Sequence, residues 1–312
     1  MTVRTLFGGL CPFIALLLCI SFVLAGCSDY TEKEEGTLRV VTSFYPVYVF
    51  TRNLTRGVDE ITVTNLTEQN AGCLHDYKLL TRDVKLLSDC DLLVLCGAGS
   101  EEFLGDLTQR MPELATVDSS VGVTRLYAPD AHSSHLTQAN SHIWMSVKNA
   151  VVQVNNICDA LKRLCPGRER ELEENRLEYI KTLEELYEEL VLAAGELSDA
   201  RIITFHEAYD YMAQELSLNI AASIESEEGG EPTARELGEL SELIKAQGIN
   251  ALFVEPYYSG SAADILSRET SAEVFVLNPM TSGDESLTAY EDTMRNNIAV
   301  LTAAVCGDSY AR

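Results

Sequence analysis

From Glu169 to about Leu197 the apolar residues Leu172, Tyr179, Ile180, Leu183, Leu186, Tyr187, Leu190, Val191 and Ala194 recur at spacings of three and four, with Glu and Lys on the other face. That period is helical, and a helix of this length spans roughly 40 Å at 1.5 Å per residue. It is long for an ordinary strand-to-strand crossover and reads equally as a strut connecting two lobes. The flanking patterns match that second reading. Before it, Leu38–Phe44 and the alternating Ile61–Leu66 are strand candidates, Thr81–Ser88 is a short helix candidate, and Asp91–Cys96 is a continuous apolar run that suits a central parallel strand. After it come strand candidates at 200–205, 217–223, 251–254 and 273–277. Helix candidates lie at 207–216, 233–247 with Gly248 as cap, 262–268 and 287–305. The alternation predicts an α/β chain of two similar lobes, each with a mostly parallel central sheet, over 38–168 and 198–312, with 169–197 as the linking helix.

Between Arg4 and Asp29 there is no charged residue, and the apolar run ends in Leu24-Ala25-Gly26-Cys27. Small residues suit a peptidase, and the cysteine behind them is a nucleophile able to carry a thioether-linked lipid. The pattern resembles the lipobox of a bacterial lipoprotein, so 1–26 reads as a cleaved signal peptide rather than a retained anchor. Residues 27–37 then read as a polar tether, with Cys27 lipidated and the protein held outside the cytoplasm at the membrane. Forty-eight Asp and Glu against 23 Lys and Arg give a net charge of -25. A chain so acidic has no basic surface to offset phosphate repulsion, which disfavours nucleic acid as a partner and is compatible with a cationic ligand. Beyond the signal and Cys27, six cysteines remain: Cys73, Cys90, Cys96, Cys158, Cys165 and Cys306. None forms a CxxC pair, so a thiolate metal cluster is poorly supported. Buried free thiols, with or without one bridge, are expected.

Five histidines are present: His75, His132, His135, His142 and His206. His75, His142 and His206 each stand where a strand or loop hands over to a helix, and in open α/β sheets ligands bind outside the carboxyl ends of the strands. Three imidazoles suit zinc and leave one place in a tetrahedron. HExxH is absent: His206-Glu207-Ala208-Tyr209-Asp210 has no second histidine at the required turn.

Seven segments together carry a family resemblance: Val41–Pro46, His75-Asp76-Tyr77, Cys96–Glu101, His142-Ile143-Trp144, Thr204–Tyr211, Phe253–Pro256 and Val276–Met280. In their order and spacing the chain resembles the metal-binding lipoproteins of bacterial zinc and manganese ABC transporters, the zinc-uptake solute-binding proteins. The resemblance implies a non-catalytic monomer that holds one ion between its lobes and passes it to an ABC transporter permease. The ligands it implies are His75, His142, His206 and Asn278. Histidine at the third position is similar to zinc-transporting members and makes Zn2+ the expected cargo; manganese-transporting members commonly have glutamate there. Asn278 departs from the family's usual aspartate. That leaves the fourth place open to its amide oxygen, to water, or to a carboxylate from Asp284, Glu285, Glu255 or Glu101. His132 and His135 resemble a minimal form of the family's His-rich loop. Outside the family, the alternatives are a zinc hydrolase with Glu207 or Glu255 as base and a surface adhesin that does not need the histidines.

Overall fold

The computed structural model describes residues 36–67, 77–105, 107–127, 139–197, 200–225, 232–258 and 260–306. The first lobe contains β1 (Leu38–Thr42), α1 (Tyr45–Leu54), β2 (Ile61–Asn65), α2 (Thr81–Asp89), β3 (Leu92–Leu95) and β4 (Ala115–Asp118). Its sheet has the order β2-β1-β3-β4, with every neighbouring pair parallel. Two long helices follow, α3 (Val147–Leu164) and α4 (Glu169–Ala194). The second lobe contains β5 (Arg201–His206), α5 (Asp210–Leu216), β6 (Asn219–Glu225), α6 (Ala234–Gln247), β7 (Ala251–Val254), α7 (Ala262–Thr270), β8 (Glu273–Val276) and α8 (Ala289–Cys306). Its sheet is again parallel, in the order β6-β5-β7-β8. Each sheet therefore reverses its winding next to its first strand, between β1 and β3 and between β5 and β7. Ligand crevices open at the carboxyl ends of such a pair.

Local chemistry sets the element boundaries. Thr233 and Glu236 form a capping box on α6, and Gly248 closes that helix in the left-handed region. The strand expected at 217–223 starts later, because Ser217 (φ 57°) is the left-handed cap of α5 and Asn219 is the first residue of β6. β4 is unannounced by the hydrophobic pattern, since it is a four-residue edge strand that is only partly buried.

α4 is more than a strut. Its stripe of Leu172, Tyr179, Leu183, Leu186, Leu190 and Ala194 is buried, and the helix packs on α1, α3 and α8. One apolar core runs from Val40, Phe50 and Trp144 through Leu183 to Tyr209, Phe253 and Tyr290. Hydrogen bonds stitch the lobes beside it. Trp144 Nε1 donates to Pro279 O (2.9 Å), and Tyr290 Oη donates to Trp144 O (2.8 Å). Tyr45 Oη donates to Asp284 O (2.6 Å), and Asn53 Nδ2 donates to Leu287 O (2.9 Å). Gly283 lies so close to Tyr45 that any Cβ there would collide with the phenol. Burial first, and the Asp284 charge second, push the Tyr45 phenol up to about 12, so it remains a donor at physiological pH.

The first crevice is filled from within. The Glu101 carboxylate accepts from Ser43 Oγ (2.7 Å), Cys96 N (2.7 Å) and Gly97 N (3.1 Å). Gly97 adopts φ +84°, and a Cβ there would strike the Asp118 and Ser120 side chains, so the turn that offers these N–H groups requires glycine. Burial pushes the Glu101 carboxyl from 4.5 up to about 7, against the three hydrogen bonds that favour its ionised form. The native state therefore keeps a proton that the unfolded chain has lost. The stabilisation from this group is full below about pH 4.5 and is lost as pH rises through about 7. Between those values the melting temperature of Glu101→Gln should fall less steeply with pH than that of the wild type. Equal slopes in paired thermal melts would contradict this account of Glu101.

Candidate metal centre

His206 is the last residue of β5, and Glu255 directly follows β7, so the two flank the reversal point of the second sheet. His206 Nδ1 stands 3.6 Å from Glu255 Oε1, an ion-pair distance, and both side chains are largely sheltered from solvent. His142 approaches from the first lobe. It precedes the 3₁₀ turn Ile143–Met145, whose three side chains are all buried, and is itself only 1% exposed. The His142 and His206 rings meet edge to face with centroids 4.7 Å apart. The Trp144 ring backs His142 at 5.2 Å.

Three side chains of α5 and one amide hold His142 in place. Asn140 Oδ1 accepts from His142 N (2.9 Å) and lies 3.0 Å from His142 Nδ1. Asn140 Nδ2 donates to Glu207 O (2.8 Å) and Asp210 Oδ2 (3.2 Å). Burial raises the Asp210 carboxyl, and the Asn140 bond opposes that rise. Tyr211 Oη donates to Asn140 O and accepts from Leu126 N, both at 3.0 Å. The Glu215 carboxylate accepts from Ser146 Oγ (3.1 Å), Val147 N (2.7 Å) and Lys148 N (2.9 Å), so a residue of the second lobe caps α3. The ordinary N-cap is present as well, since Asn149 N donates to Ser146 Oγ (3.1 Å).

Asn278 lies two residues past the end of β8 and is held by its backbone. Its N–H donates to Asn297 Oδ1 (2.9 Å), and its carbonyl accepts from Asn297 Nδ2 (2.7 Å). Its own Oδ1 accepts from Met280 N (2.8 Å), a turn that stabilises the left-handed Met280 (φ 60°). Of the four carboxylates considered for the fourth place, Glu255 stands beside a site histidine. Glu101 is committed to its own crevice. Asp284 Oδ1 accepts from Ser286 N (2.9 Å), and Glu285 pairs with Arg52 at 3.6 Å. His75, His132, His135 and Cys27 lie outside the described residues. Among the described residues, no group of three or more His, Cys, Asp or Glu side chains is arranged to hold an ion.

Cys90, Cys96, Cys158, Cys165 and Cys306 are all free thiols. Burial pushes Cys90 and Cys158 up to about 11 and Cys96 well above its ordinary value, so these three thiols keep their protons at neutral pH. No helix among the described residues is long and apolar enough to cross a membrane.

The sequence family described as "Zinc-uptake complex component A periplasmic" matches residues 40–304. The zinc-binding protein AdcA of Streptococcus pyogenes serotype M3 is 26% identical over 86% of this chain and 56% of its own length. The chain thus spans about half the length of that curated relative. A putative metal-binding protein of Treponema pallidum is 26% identical over 92% of this chain and 94% of its own length. Among solved structures, Zn(II)-bound AdcA of Streptococcus pneumoniae superposes with a TM-score of 0.72 at 27% identity, over 89% of this chain and 59% of that one.

The clamp on Asn278 is directly testable. Asn297→Ala removes both hydrogen bonds to the backbone of residue 278 and leaves a sheltered N–H and C=O without these partners. The expected cost is about 1–3 kcal/mol of unfolding free energy in urea titrations. A variant as stable as wild type would mean that other groups fix the turn.

Proposed function

The chain belongs to the ZnuA family of periplasmic zinc-uptake components, and from that membership together with the paired histidines we infer that it captures Zn2+ outside the cytoplasm and delivers it to an ABC permease. Its part is capture and delivery rather than catalysis. The observation that carries the reading is a histidine from each lobe, His142 buried and His206 largely sheltered, meeting at 4.7 Å beside a carboxylate. Neutral imidazole is a good zinc donor, and Glu255 behind His206 brings negative charge toward a divalent cation. His75 and residue 278 complete the coordination on this reading, with Asn278 or water in the fourth place. Residues 1–26 are then the signal peptide, residues 27–37 the tether and Cys27 the lipid anchor. The chain acts as a monomer whose lobes, 38–168 and 198–312, are linked by 169–197.

Zinc bound to residues so distant in sequence stabilises the folded state alone, by about 2.7 kcal/mol when free zinc is 100-fold above Kd. His206→Ala should abolish most of that zinc-dependent shift in melting temperature and leave the metal-free fold intact. A shift that survives His206→Ala unchanged removes this histidine from the site.

The choice of metal turns on the same donors. Mn2+ favours oxygen ligands and lies below zinc in intrinsic affinity, so a histidine-rich site with an amide at 278 should strongly prefer zinc. Asn278→Asp adds a charged oxygen donor and should tighten both ions, with the larger proportional gain for manganese. Paired Zn2+ and Mn2+ competition titrations at one pH and ionic strength check this. A wild-type preference for manganese overturns the zinc assignment, and unchanged affinities in Asn278→Asp place residue 278 outside the coordination shell.

A further inference from the structure

We propose that Asn140 is a positioning residue that fixes the tautomer of His142 and ties both site histidines into one preassembled unit. Donor and acceptor roles alone assign the tautomer, and the consequence for zinc rests on the zinc-binding reading above. Glu207 O can only accept, so the Asn140 atom 2.8 Å from it is the amide nitrogen. The backbone N–H of His142 can only donate, so the atom 2.9 Å from it is the amide oxygen. The flip of the Asn140 side chain is therefore determined from both sides. Its oxygen also lies 3.0 Å from His142 Nδ1, and an amide oxygen cannot donate. Nδ1 must then carry the proton in that bond, which leaves the Nε2 lone pair of neutral His142 as the metal donor.

The same amide spans the two histidine segments. Its oxygen holds His142 in the first lobe, and its nitrogen holds Glu207 O, one residue past His206 in the second. Asn140 is 2% exposed, so water does not readily replace these bonds. Tyr211 grips the Asn140 carbonyl, and Glu215 grips the first turn of α3, so both ends of the His142 segment are fastened to α5, the helix that follows His206. The spacing of the two rings is thus set by a short, buried path through one amide and one helix. It does not have to be transmitted along the 26 residues of α4. A pair held in place by the chain itself needs less ordering when an ion binds.

The test uses the full chain labelled with 15N, metal-free, at a pH where imidazole is neutral. Long-range 1H–15N spectra distinguish a protonated Nδ1 from a protonated Nε2, and the His142 signals are assigned by their loss in His142→Ala. Wild type should show Nδ1–H at His142. Asn140→Ala should shift His142 toward the Nε2–H tautomer and weaken zinc binding by about 10- to 100-fold, as for other outer-shell partners of a metal histidine. Asn140→Asp keeps an acceptor for Nδ1–H but loses both donors to the second lobe, so it should retain the wild-type tautomer while its metal-free form melts lower. A merely structural role would lower the melting temperature in both variants and leave the tautomer alone. A folded Asn140→Ala with the wild-type tautomer and zinc affinity overturns the proposal. If wild type shows Nδ1–H but takes up no zinc, the transport reading fails and the positioning role stands.

Discussion

Burial of the apolar core that runs continuously between the two lobes is the constraint on which the rest of this molecule depends. Trp144 sits in that core, donates through its indole to Pro279 and accepts at its carbonyl from Tyr290, so one residue of the first lobe is pinned twice to the second. Each bond is modest by itself, but the partners are buried, and leaving one unmade costs more than making it gains. Opening the lobes as rigid shells would expose the stripe of α4 and break several such bonds together. The structure therefore favours small movements at the loops over a wide hinge.

Within that frame the two sheets treat equivalent places differently. Both wind in the same order and reverse beside their first strand. In the first lobe the reversal point is occupied by Glu101, a carboxylate of the chain itself, saturated by Ser43 and two backbone N–H groups. In the second, His206 and Glu255 occupy the corresponding strand ends, and the His206 ring meets His142. A crevice whose backbone and hydroxyl donors are already taken by an internal carboxyl group has none of them left for a ligand. The asymmetry puts the candidate site on the β5–β7 side, with the first lobe contributing His142 from a loop rather than from its own sheet.

Much of this was legible in the chain. The period of α4 repeats over 26 residues, the apolar run of β3 has the character of a strand buried on both faces, and His206 closes a run of β-branched and aromatic residues. These signals are local, and burial of one face produces them directly. β4 left no such signal because it is short and lies at an edge, where little burial constrains its composition. The residues that hold His142 were also hidden, for a different reason. Asn140 reaches Glu207 and Asp210 across 67 and 70 residues, and Glu215 reaches Val147 across 68. Hydrogen bonds between such distant positions impose no period on the sequence. The one local trace was Asn140 standing two residues before His142, the spacing at which its side chain can turn back on the imidazole.

On the zinc reading, position 278 is where charge at the site is held apart from coordination. An aspartate there would, on that reading, bring a full negative charge within reach of the cation, whereas Asn278 offers only a dipole, and its oxygen already accepts from Met280 N. Glu255 supplies charge from the opposite direction. At 3.6 Å from His206 Nδ1 it favours a proton on that nitrogen and electron density on the other, the arrangement in which a carboxylate strengthens an imidazole donor without touching the metal. Water around a half-exposed carboxylate would screen this effect, but Glu255 is mostly sheltered and its field reaches the ring at reduced dielectric. On the zinc reading, negative charge is thus delivered through a nitrogen ligand instead of as an oxygen ligand. That retains electrostatic attraction for any divalent cation while withholding the oxygen donor that manganese needs most.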